Sequence, residues 1–361
     1  MKVEHDVPLS SLTTMRVGGP ASRLVTVETA DELVDAVREV DDADERLVLL
    51  GGGSNLLVGD GPVDDPVVRV ATRGVTIEDS SPCGGAIVRV AAGEPWDDFV
   101  ARAVAEEWAG IECLSGIPGL VGATPVQNVG AYGQEVAQTI ARVRTWDRVA
   151  GAVRTFTASE CDFGYRHSLF KSAMDGASPR YVVLDVTFQF ELGDLSKPVA
   201  YADLARGLGV EQGARVPLAD AREAVLEQRR RRGMVLDPAD NDTWSCGSFF
   251  MNPVVSQADF DSLETRVHER LGAEVTPPRF PAPGGSVKTS AAWLIDRAGF
   301  EKGFGAPGPA SLSTKHTLAL TNRGSATASD VLALARQVRD GVEDAFGIRL
   351  VNEPVLLGDT L

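Results

Sequence analysis

The sequence predicts an α+β protein with more than one domain, and three observations carry that expectation. A chain of 361 residues exceeds what one core normally supports. Helix-period and strand-period stretches alternate over its first half, and the pattern changes character after about residue 219.

The elements follow in order. "TADELVDAVREV" sets Thr29 three residues before Glu32, a helix-start signature, and then places Leu33, Val37 and Val40 on one face. "RLVLLGGGSNLLV" is an apolar run broken by three glycines, read as two buried strands joined by a tight turn. "AIVRVAAGE" reads as a strand, and "PWDDFVARAVAEEW" as a helix with Pro95 in its first turn. "RVRTWD" and "YVVLDVTFQFEL" are further strands. The second alternates Val182, Leu184, Val186, Phe188 and Phe190 with neighbours assigned to an unburied face. "DAREAVLEQRRRR" is a helix ending in four arginines, and "GMVLDPADNDTW" a polar connector that marks a boundary near residue 235. Beyond it, "SQADFDSLETRVHERLG" keeps Phe260, Leu263, Val267 and Leu271 together and stops at Gly272. The last helix, "SDVLALARQVRDGVEDAFG", is expected to be capped by Ser329 and closed by Gly347.

Composition excludes several functions. With 35 basic against 51 acidic residues the net charge is −16, which repels nucleic acid and requires a local basic cluster for any anionic ligand. Cys83, Cys113, Cys161 and Cys246 form no CxxC pair, which argues against structural zinc and a disulfide framework. His5, His167, His268 and His316 have no ligand spacing, so no metal is expected. The N-terminus lacks an apolar leader core and no apolar run would span a bilayer, so the expectation is a cytoplasmic protein without membrane partners.

Two glycine-rich segments carry the chemistry. "GGGSN" at residues 51–55 follows an apolar strand, where missing β-carbons let N–H groups approach an anion and Ser54 and Asn55 add donors. It matches neither the P-loop nor the Rossmann fingerprint, and a plain strand turn explains it equally well. "SGIPGLVGATPVQNVGAYG" at residues 115–133 has no charged residue but offers the amides Gln127 and Asn128. Such a backbone suits a large, flat, mostly neutral ligand, and the two segments together suggest a dinucleotide.

Six motifs in order, "LLGGGSNLLV", "GIPGLVGATPVQNVGAYG", "CDFGYRHSLFK", "GSFFMNP", "KTSAAWLID" and "NEPVLLG", resemble the UDP-N-acetylenolpyruvoylglucosamine reductase family over nearly the whole chain. The resemblance implies a two-lobed FAD-binding domain of the p-cresol methylhydroxylase type, with lobes at residues 1–70 and 71–235. An α+β substrate-binding domain at 240–352 follows, and then a C-terminal segment, 353–361, returning to the active site. It implies noncovalent FAD, NADPH as electron donor, and reduction of the enolpyruvyl ether of UDP-N-acetylglucosamine to UDP-N-acetylmuramate for peptidoglycan synthesis.

Residue by residue, the resemblance places the FAD pyrophosphate at Gly51, Gly52, Gly53, Ser54 and Asn55. The isoalloxazine falls against Gly119, Gly122, Gln127, Asn128, Gly130, Ala131 and Tyr132, with Ser115, Gly116, Pro118 and Ala123 as further cofactor contacts. Arg16, Val17 and Gly18 of "TTMRVGGPA" would complete the cleft.

Arg166 corresponds to the family's enolate-stabilising arginine, Ser248 to its proton donor and Glu353 to its catalytic glutamate, the last expected to be held protonated or to donate through a neighbour. An ordinary ion pair for Arg166 and a backbone-bonded loop serine for Ser248 are the structural alternatives. Tyr165, Tyr201, Asn252 and Lys288 would contact substrate, Tyr201 marking the type-I form, although Lys288 also reads as a solvated lysine. Met234 and Met251 stand where basic substrate contacts are expected, and residues 229–232 are the nearby compensating charge or a solvated helix end. An alcohol or lactone oxidase on the same scaffold, and a non-catalytic FAD- or UDP-sugar-binding protein, are the competing functions.

Overall fold

The computed structural model describes all 361 residues, Met1–Leu361. The chain divides into two compact units. The first comprises Met1–Pro8, Pro20–Gly53 and Pro62–Val235, and the second Leu9–Gly19, Ser54–Gly61 and Leu236–Leu361. The first seventy residues are therefore shared between the units rather than forming a lobe by themselves.

The first unit is built on two larger sheets. Parallel strands Leu24–Val27, Val67–Val70 and Val48–Leu50 form one, with Lys2–Glu4 added antiparallel at its edge. Helix Ala30–Asp42 buries Leu33, Ala36, Val37 and Val40, as its periodicity predicts. Thr29 caps it by accepting the N–H of Glu32, but Glu32 reaches back to the N–H of Glu28 rather than to the cap. The second sheet is antiparallel, with Tyr181–Leu192 between Ile140–Asp147 and Gly85–Ala91. Trp96 and Phe99 of helix Trp96–Ala105 pack on Phe188, with ring centroids 6.1 and 5.2 Å away.

Two expectations change here. Strand Tyr181–Leu192 is not half-exposed: residues 181–188 are all buried, because the sheet is covered on both faces over that length. Its one internal carboxylate, Asp185, is only 4% exposed and accepts a 2.7 Å bond from Arg144 Nε. The strands either side of "GGGSN" are real, but they do not pair with each other. Val48–Leu50 pairs with Val67–Val70 in the first unit, whereas Leu56–Val58 pairs in parallel with Val355–Leu357 in the second. The glycines connect two sheets instead of closing a hairpin.

The second unit gathers Met15, Val17, Leu57, Phe249, Phe250 and Phe260 with helices Ala291–Arg297 and Ala328–Phe346 around one core. Helix Gln257–Leu271 ends at Gly272, as expected, and is capped at its start by Ser256, which accepts the Asp259 N–H. The cap of the last helix is Thr327, not Ser329: Thr327 and Asp330 exchange bonds in a capping box. Ser329 is instead inside the first turn, where its N–H and hydroxyl, with the N–H of Ala328, bind the carboxylate of Asp60. An acid at a helix start is favoured by the orphan N–H groups and the helix dipole. Part of the polar connector is likewise built in rather than solvated. Asp242 is 4% exposed and takes bonds from Thr314 N–H at 2.9 Å and Arg323 at 2.8 Å. No helix is long and apolar enough to cross a membrane.

One ion pair fixes the start of the second glycine-rich segment within the first unit. Asp97 accepts two bonds from Arg222, at 2.6 and 3.0 Å, and the Gly116 N–H at 2.6 Å. Burial works against the Asp97 carboxylate, but Arg222 and the Gly116 N–H outweigh it and hold its pKa below the ordinary value. Asp97→Asn should lower the unfolding free energy by about 2 kcal/mol, the scale of hydrogen bonds to a charged group, measured by urea titration at pH 7. Because the folded pKa lies below the unfolded one, this difference is complete above about pH 4. It should shrink as pH falls through the folded value, and a difference that grew on acidification would contradict the assignment.

Candidate active site

In the first unit the two glycine-rich segments meet backbone to backbone. A β-carbon on Gly52 would lie 2.8 Å from Gly119 Cα, closer than side-chain carbons pack. The Gly119 carbonyl in turn accepts the Trp96 N–H at 3.0 Å, at the start of helix Trp96–Ala105. Val121 and Gly122 bind Glu94 and Ala92 through their N–H groups, at 2.9 and 2.8 Å. A β-carbon on Gly122 would come within 2.5 Å of Ala92 Cβ. Residues 119–122 are thus fastened to residues 92–96, and the lack of side chains is a packing requirement before it is a binding one.

The "CDFGYRHS" motif is fastened to the same segment. Residues 164–167 form a tight turn with reciprocal backbone bonds between Gly164 and His167. Ser168, fully buried, donates to Val126 O at 2.6 Å. Asn128 Nδ2 donates to Gly164 O at 3.1 Å, and Arg166 Nη2 donates to Gly130 O at 3.3 Å. The contacts fall on residues 126, 128 and 130, so the turn lies along alternate residues of the loop. Asn128, Tyr132 and Arg166 all have left-handed backbone, with φ of 47°, 50° and 51°. For an arginine or tyrosine that conformation costs about 1–2 kcal/mol, which the surrounding bonds must hold in place.

The amides of the loop divide. Asn128 is buried and spends its side chain internally, donating to Glu135 and Gly164 and accepting the Ala137 N–H at 3.1 Å. Gln127 is different, because its Oε1 is buried without a partner. Ser115 is turned inward, donating to Glu112 O at 2.6 Å, so only its backbone is available to a ligand. Sequence reasoning missed Arg229 as a specific contributor. Its Nε is buried without a partner 3.4 Å from the place a Gly116 β-carbon would occupy. Burial and Arg232 pull its pKa down to about 10, against Tyr132 and Asp97, so it remains a cation at neutral pH. Its side chain reads as one of four arginines at a helix end, and nothing local in the sequence distinguishes it from its neighbours.

Tyr201 is 53% exposed and meets Tyr132 edge to face at 6.0 Å. Tyr165 is also exposed, beside Arg166. Arg232 lies over the Tyr132 ring and pairs with Asp203 at 3.5 Å.

In the second unit the strand pairing places Glu353. Its N–H donates to Phe249 O at 2.8 Å, next to Ser248, and its carbonyl accepts Asn55 Nδ2 at 3.3 Å. Ser248, Asn55 and Glu353 are therefore neighbours along the backbone of this unit. Gly247, before Ser248, has φ of 74°, which turns the chain into Phe249 and Phe250, both buried. Asn252 accepts the N–H of Ala291, the first residue of a helix whose cap is Ser290, at 3.0 Å, and Lys288 lies on strand Val287–Lys288. Gly18 and Gly19 serve close approach: β-carbons there would meet Val58 at 2.6 Å and Gly61 O at 2.0 Å. Arg16, at φ 56°, stacks on the Trp244 ring at 4.0 Å, and Val17 is buried in the core.

The comparisons with known proteins agree with this reading of the motifs. Residues 21–157 match the FAD binding domain family, and residues 237–357 match the UDP-N-acetylenolpyruvoylglucosamine reductase C-terminal domain. Curated relatives named UDP-N-acetylenolpyruvoylglucosamine reductase include one from Cutibacterium acnes, 60% identical over 99% of this chain and 91% of that protein. Another, from Streptomyces avermitilis, is 57% identical over 98% of this chain and 94% of that protein. The solved UDP-N-acetylenolpyruvylglucosamine reductase from Thermus caldophilus is similar with a TM-score of 0.64 and 28% identity, covering 99% of both chains. With a two-domain α+β FAD-binding fold and these relatives, the chain belongs to the UDP-N-acetylenolpyruvoylglucosamine reductase family.

Proposed function

We propose that this protein is the NADPH-dependent flavoenzyme that reduces UDP-N-acetylglucosamine enolpyruvate to UDP-N-acetylmuramate in the cytoplasm, for peptidoglycan precursor synthesis. The observation that carries the reading is the seating of the Arg166 turn along residues 126–130, the segment assigned to the flavin ring.

The residues present fit FAD. The glycine-rich backbone at residues 51–53 and 116–122 gives close access to a pyrophosphate and a flat ring. Gln127 Oε1 and Arg229 Nε are a buried acceptor and a buried donor with no protein partner, which a polar ring edge would satisfy. FAD held there would supply hydride transfer from NADPH to the alkene.

The protein's own groups manage charge and the proton. Hydride addition sends electron density into the carboxylate conjugated to the alkene. The Arg166 guanidinium, held by the Gly130 carbonyl, is the group we assign to that growing charge. Ser248 delivers the proton to the adjacent carbon. Serine is a weak acid, but an enolate carbon is a strong enough base to take its proton. Glu353, held beside the Ser248 loop through Phe249, is assigned as a protonated carboxyl that replenishes or supports that donor. Nucleotide recognition uses Tyr165, Tyr201, Asn252 and Lys288. Arg232 supplies the positive charge that Met234 cannot, since it sits with Tyr132 and Asp203.

The purified protein should be yellow, should bleach with NADPH and should regain colour on adding the enolpyruvyl sugar nucleotide. Electron transfer only to oxygen would favour the oxidase alternative instead. Ser248→Ala should slow reoxidation by the sugar nucleotide about a hundredfold or more, the usual scale for a lost general acid, while bleaching by NADPH stays normal in stopped-flow traces. Gln127→Leu should weaken FAD about tenfold in a fluorescence titration, reflecting one lost hydrogen bond. Unchanged affinity would remove Gln127 from the ring edge.

A further inference from the structure

We propose that Lys171 is a positioning residue for Arg166, acting through the backbone carbonyl of that arginine. The inference rests on the reading of Arg166 as the group facing substrate charge.

Within the turn at residues 164–167, the Gly164 and His167 backbones bind each other at 3.1 and 3.2 Å. Those bonds leave the carbonyl of Arg166 outside the ring they close. Arg166 itself is left-handed, at φ 51°. For a residue with a β-carbon this conformation has a nearby, less strained competitor, and crossing to it rotates the carbonyl and swings the side chain together. A donor that grips the carbonyl therefore governs where the guanidinium points. Lys171 Nζ is that donor, at 3.1 Å from Arg166 O.

The grip comes from a fixed point. The N–H of Lys171 binds Ser168 Oγ at 3.1 Å, and that same hydroxyl donates to Val126 O at 2.6 Å. Ser168 is fully buried. The lysine stem and the Arg166 guanidinium are thus referred to one segment, at Val126 and Gly130. Both ends of the arginine are tied: its guanidinium to Gly130 O, its carbonyl to Lys171. A charged donor suits the second tie because bonds with an ionised partner are shorter and stronger than neutral ones. Lys171 also lies in "CDFGYRHSLFK", the same motif as Arg166.

The test is a double-mutant cycle in the FAD-loaded protein, using Lys171→Met with and without Arg166→Ala and Lys171→Arg as the donor-retaining variant. Stopped-flow traces report bleaching by NADPH and reoxidation by the enolpyruvyl sugar nucleotide separately. We expect Lys171→Met to slow reoxidation at saturating substrate roughly tenfold or more, with bleaching rate and FAD content unchanged and with Lys171→Arg restoring most of the rate. In the Arg166→Ala background the same change should cost less than about twofold, since the residue it positions is gone. Equal costs in both backgrounds would overturn the proposal. So would a raised KM alone whose excess over the wild type shrinks as salt is added, which would make Lys171 a direct anion contact. If Lys171→Met does not fold, Lys171→Gln enters the same cycle under the same criteria. If Arg166→Ala leaves reoxidation intact, the assignment of Arg166 fails, an outcome distinct from failure of the Lys171 coupling.

Discussion

The arrangement of the first unit depends on a contact that only glycine permits, the approach of Gly52 to Gly119. Where two main chains pack this closely, no side chain stands between them, and polar backbone groups face whatever lies alongside. The approach also transmits position. Gly119 is bonded to Trp96 at the start of a helix whose aromatic side chains are buried on the central strand, so the loop inherits the rigidity of the core. Asp97, one residue further along that helix, holds Gly116 with the help of Arg222. A glycine-rich segment that would be mobile in isolation is fixed from below at several points.

Arg166 builds on that platform. Its turn is bonded to alternate residues of the loop, and its backbone occupies a conformation that arginine does not choose unaided. Strain of this kind persists where neighbouring bonds over-determine it. A local change in the loop is then felt directly at the guanidinium. In the proposed chemistry, this would tie the placement of the flavin ring to the placement of the charge that stabilises the reduced substrate.

The local features were legible in the sequence. Thr29, Gly272 and Gly347 mark helix ends as written, because capping uses only neighbours within a few residues. The burial of Leu33, Val37 and Val40 followed from period alone. Long-range pairings were not legible. Nothing near Leu56 says that its partner is Val355, and nothing near Asp60 says that it binds the first turn of a helix more than 260 residues away. Ser329 looked like a cap because it precedes the apolar run, whereas the fold caps with Thr327 and spends Ser329 on Asp60. Tyr181–Leu192 misled because alternation predicts one wet face, whereas Asp185 is sheltered by a paired arginine. At the site, the motifs named segments but not the allocation of side chains. Asn128 and Gln127 are adjacent amides of the same chemistry, and only the fold shows that one is spent on structure while the other has a free acceptor.

Gly52 offers the most direct examination of the account, because its φ is not in the left-handed range and alanine would be acceptable there but for the neighbouring chain. The decisive measurement is the FAD affinity of the Gly52→Ala apoprotein, followed by flavin fluorescence alongside its urea midpoint. The account predicts a folded protein that purifies nearly colourless and binds FAD at least about tenfold more weakly, as an extra carbon pushes the two loops apart. A yellow variant with unaltered affinity would show that the close approach of Gly52 to Gly119 does not shape the flavin surface, and the account built on it would fall.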